Sequence, residues 1–175
     1  MLTMLSLLVA VIYVLPAYIA NGTPVVVLRF AGRGHPLDMR MVMRDGRRLL
    51  GDGKTVEGLV SGLSAGLAAA VLLYTFLPGV YRGILECGLM PIGAMAGDIL
   101  GSFLKRRLGI ERGGSAPVLD QLGFLLMALL LAWLPYGPPG WLDPLAFLLL
   151  LLVTALLHVS TNVLAYLAGL KEKWY

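Results

Sequence analysis

The sequence predicts an all-α integral membrane protein of about five transmembrane helices, and three observations carry that prediction. Apolar residues make up 58% of the 175-residue chain, only 14% are charged, and the mean hydropathy of +0.84 is far above that of a soluble domain. Five near-uninterrupted apolar stretches are each long enough to cross hydrocarbon. Most of the remaining charges lie in the segments between them. One domain covers residues 1–175.

The first span, residues 2–20, carries no charge, and with no basic leader or small-residue cleavage site it reads as a retained helix. Asn21-Gly22-Thr23-Pro24 then interrupts the run before residues 25–30 resume it. Such a break is tolerated at membrane depth only where protein or a watery cavity satisfies the backbone, so Asn21 is expected to face a site or to cap the helix at the interface. Residues 31–54 form a polar loop in which Met39, Met41 and Met43 alternate with charges, as a short interfacial segment would.

The second span, 56–77, opens at Glu57, which suits a helix start, and carries Gly58, Gly62 and Gly66 at every fourth position, a stripe for close helix packing. Span three, 84–104, has Glu86 near one end and Asp98 near the other. Its Pro91, Gly93, Gly97 and Gly101 predict a kinked, closely packed helix. Spans four and five cover 117–134 and 144–167, the last followed by an aromatic and basic anchor at 171–175. His158, Ser160 and Asn162 are expected to make helix-to-helix hydrogen bonds.

Five spans put the termini on opposite sides. Seven bases fall between Arg29 and Lys54, four after span three and two in the tail, whereas the other side has only Arg82. By the positive-inside rule the N-terminus is outside and the C-terminus cytoplasmic, with the loop, Asp98 and Asp120 on the cytoplasmic face. The formal charge of +4 is not spread as a basic stripe interleaved with aromatics, which argues against nucleic acid as a partner. Cys87 is alone, so disulfide, redox and zinc readings have no support.

The chemistry gathers in Gly97-Asp98-Ile99-Leu100-Gly101-Ser102-Phe103-Leu104-Lys105-Arg106-Arg107. At helical pitch Asp98, Ser102 and Lys105 share one face, with the acid ~10 Å along the axis from the ammonium. Three bases ending an apolar helix also serve as a surface anchor, and Asp120 in a first helical turn suits the helix dipole. An acid at the edge of hydrocarbon is costly, and marks a functional site. Asp98 and Asp120, from separate helices, can hold Mg²⁺, which takes a few carboxylates together with substrate phosphates. Gly51-Asp52-Gly53-Lys54-Thr55, directly before a helix, offers backbone N–H groups, a lysine and a hydroxyl, a candidate phosphate cradle. Arg48 stands where a Walker A loop needs its first glycine, and no strand precedes it, which excludes a P-loop ATPase. Lys54, Lys105 and Arg106 suit phosphoryl or nucleotidyl transfer to a membrane-bound acceptor.

Asp98-x-x-x-Ser102-x-x-Lys105-Arg106 followed by Pro117-x-x-Asp120-Gln121 resembles the signature of the CTP-dependent CDP-diacylglycerol synthases. The whole chain is more similar to their short archaeal branch, the CDP-archaeol synthases. That likeness runs through Asn21–Pro24, Asp45–Arg48, Gly51–Thr55, Gly97-Asp98, Lys105–Arg107, Asp120-Gln121 and the ending Asn162…Gly169-Leu170-Lys171. Gln121 stands where the bacterial pattern has Arg, and Phe124 replaces a further acid.

The resemblance implies Mg²⁺-dependent transfer of CMP from CTP to 2,3-bis-O-geranylgeranylglycerol 1-phosphate, an isoprenoid glycerol phosphate lipid, with release of pyrophosphate. It implies metal ligation by Asp98 and Asp120, and catalytic roles for Lys54, Asp98, Lys105 and Asp120. Nucleotide contacts are expected from Asn21, Gly51, Asp52, Gly53, Lys54, Thr55, Ser102, Lys105, Arg106 and Gln121. A homodimer is the one protein assembly left open. The rival readings are a small transporter and another phosphoryl-transfer enzyme acting on a lipid phosphate. Against a carrier, the polar groups gather at one face and no inverted repeat is evident. Against a CDP-alcohol phosphotransferase, Asp45-Gly46 lacks the spaced aspartates of that signature.

Overall fold

A computed structural model of the chain describes residues 2–32, 34–111 and 113–170, so the anchor expected at 171–175 lies outside the described residues. The helices are α1 (Leu2–Ala31), α2 (Val56–Phe76), α3 (Ile84–Arg107), α4 (Leu119–Trp133) and α5 (Pro144–Leu167). By length and composition α1, α2, α3 and α5 can each cross a bilayer. With 15 residues, α4 rises only about 22 Å at 1.5 Å per residue, short of the hydrocarbon thickness of about 30 Å.

The break expected at Asn21–Pro24 does not occur: α1 runs through it, with Pro16 and Pro24 inside the helix. A proline removes the donor for the carbonyl four residues earlier, and neighbouring groups in a membrane bundle restore such losses. The Tyr81 hydroxyl does so for Pro16, donating to the Ile12 carbonyl at 3.2 Å and the Tyr13 carbonyl at 2.9 Å.

Small residues set the helix spacing. A Cβ added at Gly62 would lie 2.6 Å from the Ala20 carbonyl oxygen, and one at Gly66 2.5 Å from the Pro91 side chain, so the α2 stripe is used inside the protomer. Gly93 and Gly97 do the same for α3 against α4. An added Cβ would sit 2.6 Å from the Ala128 Cα and from the Gly123 carbonyl oxygen, respectively. The start of α4 falls two residues later than the expected span because Val118 adopts φ 70, ψ −56, outside the regions open to L residues.

The two ends of the bundle differ. At the far end the fully buried Glu86 accepts from the Tyr13 hydroxyl at 2.6 Å and from the Arg82 backbone N–H at 2.7 Å, and it is paired with the Arg82 guanidinium. Arg82 also donates to the carbonyls of Tyr136 and Gly137 at 2.8 and 2.6 Å, tying α3 to the α4–α5 turn. Every oxygen of this buried acid is thus satisfied, as burial of a charge requires.

At the opposite end, residues 36–55 fold back on themselves through bridges between Pro36 and Thr55 and between Val42 and Arg48. Buried Asp38 is the hub. It accepts from the backbone N–H groups of Arg40, Leu50 and Gly51 at 3.0 Å each and from Arg48 Nη2 at 2.7 Å. Burial opposes its ionisation, but Arg48 and those three N–H groups outweigh the cost and hold its carboxyl well below the usual range. Arg47 Nη1 caps α3 by donating to the Arg107 carbonyl at 2.7 Å, and Arg107 binds Asp45 at 2.8 Å. Met39, Met41 and Met43 stand exposed on this loop.

Candidate active site

The loop and the ends of α1, α3, α4 and α5 enclose a polar cavity of about 190 Å³ at the loop end. Lys54 reaches it because the Asp38 hub fixes Gly51, and because Thr55 caps α2 by accepting from the Gly58 N–H at 3.1 Å. Asp98 and Ser102 enter from consecutive turns of α3. Asp120 is set by the Val118 turn, its Oδ2 accepting from the Ala116 N–H at 2.8 Å.

Each acid is held by a lysine. Lys54 Nζ lies 2.5 Å from Asp98 Oδ2, and Lys105 Nζ donates to both oxygens of Asp120 at 2.9 and 3.0 Å. The sequence reading puts these carboxylates on a metal and these ammoniums on phosphates. In the structure they pair with each other, an arrangement that neutralises two acids and two bases in a half-buried site. The lysine side chains are 23% and 14% exposed and both acids 31%, so all four still face the opening.

Asn21, Lys54, Asp98, Ser102, Lys105 and Asp120 therefore come together as expected on one cavity wall. Other candidates do not line it. Asp52 is turned toward Arg48 at 3.0 Å and is half exposed. Thr55 spends its hydroxyl on the helix cap. Within the glycine turn the Gly51 N–H is taken by Asp38 and the Lys54 N–H by the Gly51 carbonyl at 3.3 Å, and just beyond it the Val56 N–H by the His35 carbonyl at 2.9 Å, which leaves the turn fewer backbone donors for a phosphate than its sequence suggests. Arg106 packs beside Gly51 with its Nε buried and without a hydrogen-bond partner. Gln121 is half-buried outside the cavity wall, while Gly53 lines an adjoining groove.

That groove, about 580 Å³, runs between α1 and α5 and is lined largely by apolar side chains such as Val25, Leu28, Leu164 and Ala165. It shares Asn21, Lys54, Asp98, His158 and Asn162 with the polar cavity. His158 and Asn162 were legible only as polar residues one turn apart in an apolar helix. Gly113 and Gly114 complete the cavity from the α3–α4 loop, where the sequence has only glycine to show.

Among the described residues, no three of His, Cys, Asp and Glu converge as a ready metal cage. Two carboxylates on one polar cavity do fit Mg²⁺, which is held by one or two carboxylates while water and substrate phosphates complete its shell.

The whole chain, residues 1–175, matches the family described as CarS-like, CDP-archaeol synthase. The chain belongs to the CDP-archaeol synthase family. It is 49% identical over 170 residues to a CDP-archaeol synthase from Aeropyrum pernix, covering 95% of this chain and 91% of that protein. To one from Methanopyrus kandleri it is 46% identical over 162 residues, with 91% and 88% covered. A solved structure of an intramembrane enzyme for archaeal membrane lipid biosynthesis superposes with a TM-score of 0.76 at 46% identity, covering 88% of this chain and 92% of that one. The protein is thus a multi-pass membrane enzyme, and the transporter reading falls away.

Proposed function

We propose that this chain transfers CMP from CTP to the phosphate of 2,3-bis-O-geranylgeranylglycerol 1-phosphate, giving CDP-archaeol and pyrophosphate. One observation carries the reading. Two lysine–aspartate pairs line a cavity that continues into an apolar groove between α1 and α5. A nucleotide needs the first and an isoprenoid chain the second.

In this reading Lys54 and Lys105 exchange their carboxylates for triphosphate oxygens as CTP enters, and Asp98 and Asp120 become available to Mg²⁺. Bound Mg²⁺ would supply Lewis-acid polarisation of the nucleotide phosphates. An oxygen of the lipid phosphate attacks the α-phosphorus of CTP, and the bond to the pyrophosphate oxygen breaks. The two lysines neutralise the charge that develops on the leaving group. Deprotonation needs no protein base, because a phosphate monoester is already anionic at neutral pH. The positive-inside count puts the N-terminus outside and this cavity on the cytoplasmic face, where CTP is available.

The test supplies labelled CTP, Mg²⁺ and the isoprenoid glycerol phosphate to the detergent-solubilised protein. Lipid-extractable label and stoichiometric pyrophosphate are expected. Absence of both, with CTP bound, would overturn the proposal.

A further inference from the structure

The polar cavity and the apolar groove meet at five residues. Lys54 and Asp98 form one of the ion pairs already described; Asn21 is on α1. The other two, His158 and Asn162, lie one turn apart on α5, with Asn162 Nδ2 and His158 Nδ1 3.4 Å apart and both side chains half-buried. Any lipid that enters between α1 and α5 with its phosphate toward Asp98 passes these two groups. Phe124 of α4, its ring centroid 6.4 Å from that of His158, backs the imidazole on the cavity side.

We infer that His158 and Asn162 hold the phosphate of the lipid acceptor, a positioning role that rests on the nucleotidyltransfer reading above. The chemistry divides in a consistent way. Lys105 lines only the polar cavity and Lys54 stands at the junction with its ammonium on Asp98, and both lysines suit a leaving group gaining charge. The groove side of α5 presents an amide and an imidazole. A carboxamide donates hydrogen bonds without a formal charge, so it orients a phosphate and leaves its attacking oxygen electron-rich. Two donors one helical turn apart can bind two oxygens of one phosphate, which directs the third at the nucleotide. Orientation of this kind lowers the barrier by fixing the near-attack geometry.

The experiment compares Asn162→Ala, His158→Ala and the donor-retaining His158→Gln with the parent chain in detergent. It measures KM and kcat for the isoprenoid glycerol phosphate, and CTP affinity in the presence of Mg²⁺ by calorimetry. Each alanine variant is expected to raise the lipid KM at least ~10-fold with CTP affinity within ~2-fold of the parent, and His158→Gln to recover much of the loss. An unchanged lipid KM in both alanine variants overturns the inference, as does a loss of CTP affinity that matches the loss in lipid KM. Thermal unfolding in the same detergent identifies a variant that fails to fold; Asn162→Asp, which keeps the shape and removes the donor, then carries the test, with a raised lipid KM expected and an unchanged one overturning the inference. The parent chain separates the two ideas. If it forms CDP-lipid and the alanine variants behave like it, the inference fails and the function stands.

Discussion

Lys54 and Asp98 meet at 2.5 Å across 44 positions of sequence, joining the loop before α2 to the middle of α3. That pair places a loop lysine against a half-buried acid of a membrane helix. Substituting Asp98→Asn removes the charge proposed to hold Mg²⁺ and leaves the shape intact, so CMP transfer is expected to fall by on the order of 10²- to 10³-fold with helix content unchanged. Lys54→Met is expected to cost nearly as much. The double variant should lose much less than the product of the two, since both act in one unit. Circular dichroism and the CMP-transfer assay check both halves, and full activity in Asp98→Asn would remove this acid from the site.

Asp120 has two duties, the Lys105 pair and the Ala116 N–H that fixes the entry to α4. Asn keeps an acceptor for the N–H and Ala does not. Asp120→Asn is therefore expected to lose activity with a near-parental melting temperature. Asp120→Ala should lose activity and about 1–3 kcal/mol of stability from the orphaned donor. Equal melting temperatures for the two variants would contradict the second duty.

Gly97 lets α3 touch the backbone of α4 one residue before Asp98. An added methyl would lie 2.6 Å from the Gly123 carbonyl oxygen, and backbone yields poorly. Gly97→Ala is expected to cost about 1–3 kcal/mol and to push the two acids apart. Gly88, whose added Cβ meets only Leu67 at 4.0 Å, is the control and should tolerate alanine. Similar melting temperatures for the two would sink this account.

The loop hub gives a pH dependence. The folded-state carboxyl of Asp38 titrates below its unfolded value because Arg48 and three N–H groups favour its charge. Its stabilisation is thus complete above the unfolded value of about 3.9 and is lost as pH falls from there toward the lower folded value. Proteolysis at Arg40, Arg44 or Arg47 is expected to stay slow from neutral pH down to about 5 and to accelerate below about 4. Asp38→Asn should be cleaved quickly at every pH. Equal cleavage of parent and variant at pH 7 would show that the hub does not hold the loop.

Much of the site was readable before any fold, because acids and bases in an apolar chain announce themselves and helical pitch aligns Asp98, Ser102 and Lys105. The loop was harder. Asp38 is one of several charges without periodicity, and only the fold shows that it organises Gly51 and so aims Lys54. The glycine turn was only partly legible for the same reason, since its N–H groups look alike in sequence and the structure commits that of Gly51 to Asp38. Continuity of α1 was hidden because the hydroxyl that repairs Pro16 comes from Tyr81, 69 positions from Ile12. His158 and Asn162 escaped because the groove that gives them meaning is made by a helix from the other end of the chain.

The contacts that hold α5 change character along its length. Its approach is held by Trp141 edge-on to Tyr13, with ring centroids 5.3 Å apart, and its middle by Thr154, whose hydroxyl meets that of Tyr18 at 2.6 Å. Beyond Thr154 the helix borders the groove on α1's side for about three more turns. That stretch, about 20 Å long, also leans on α4, where the His158 ring lies 6.4 Å from that of Phe124. His158 and Asn162 ride on one turn of this stretch, so their spacing is set by the pitch of the helix and not by the loops around the cavity.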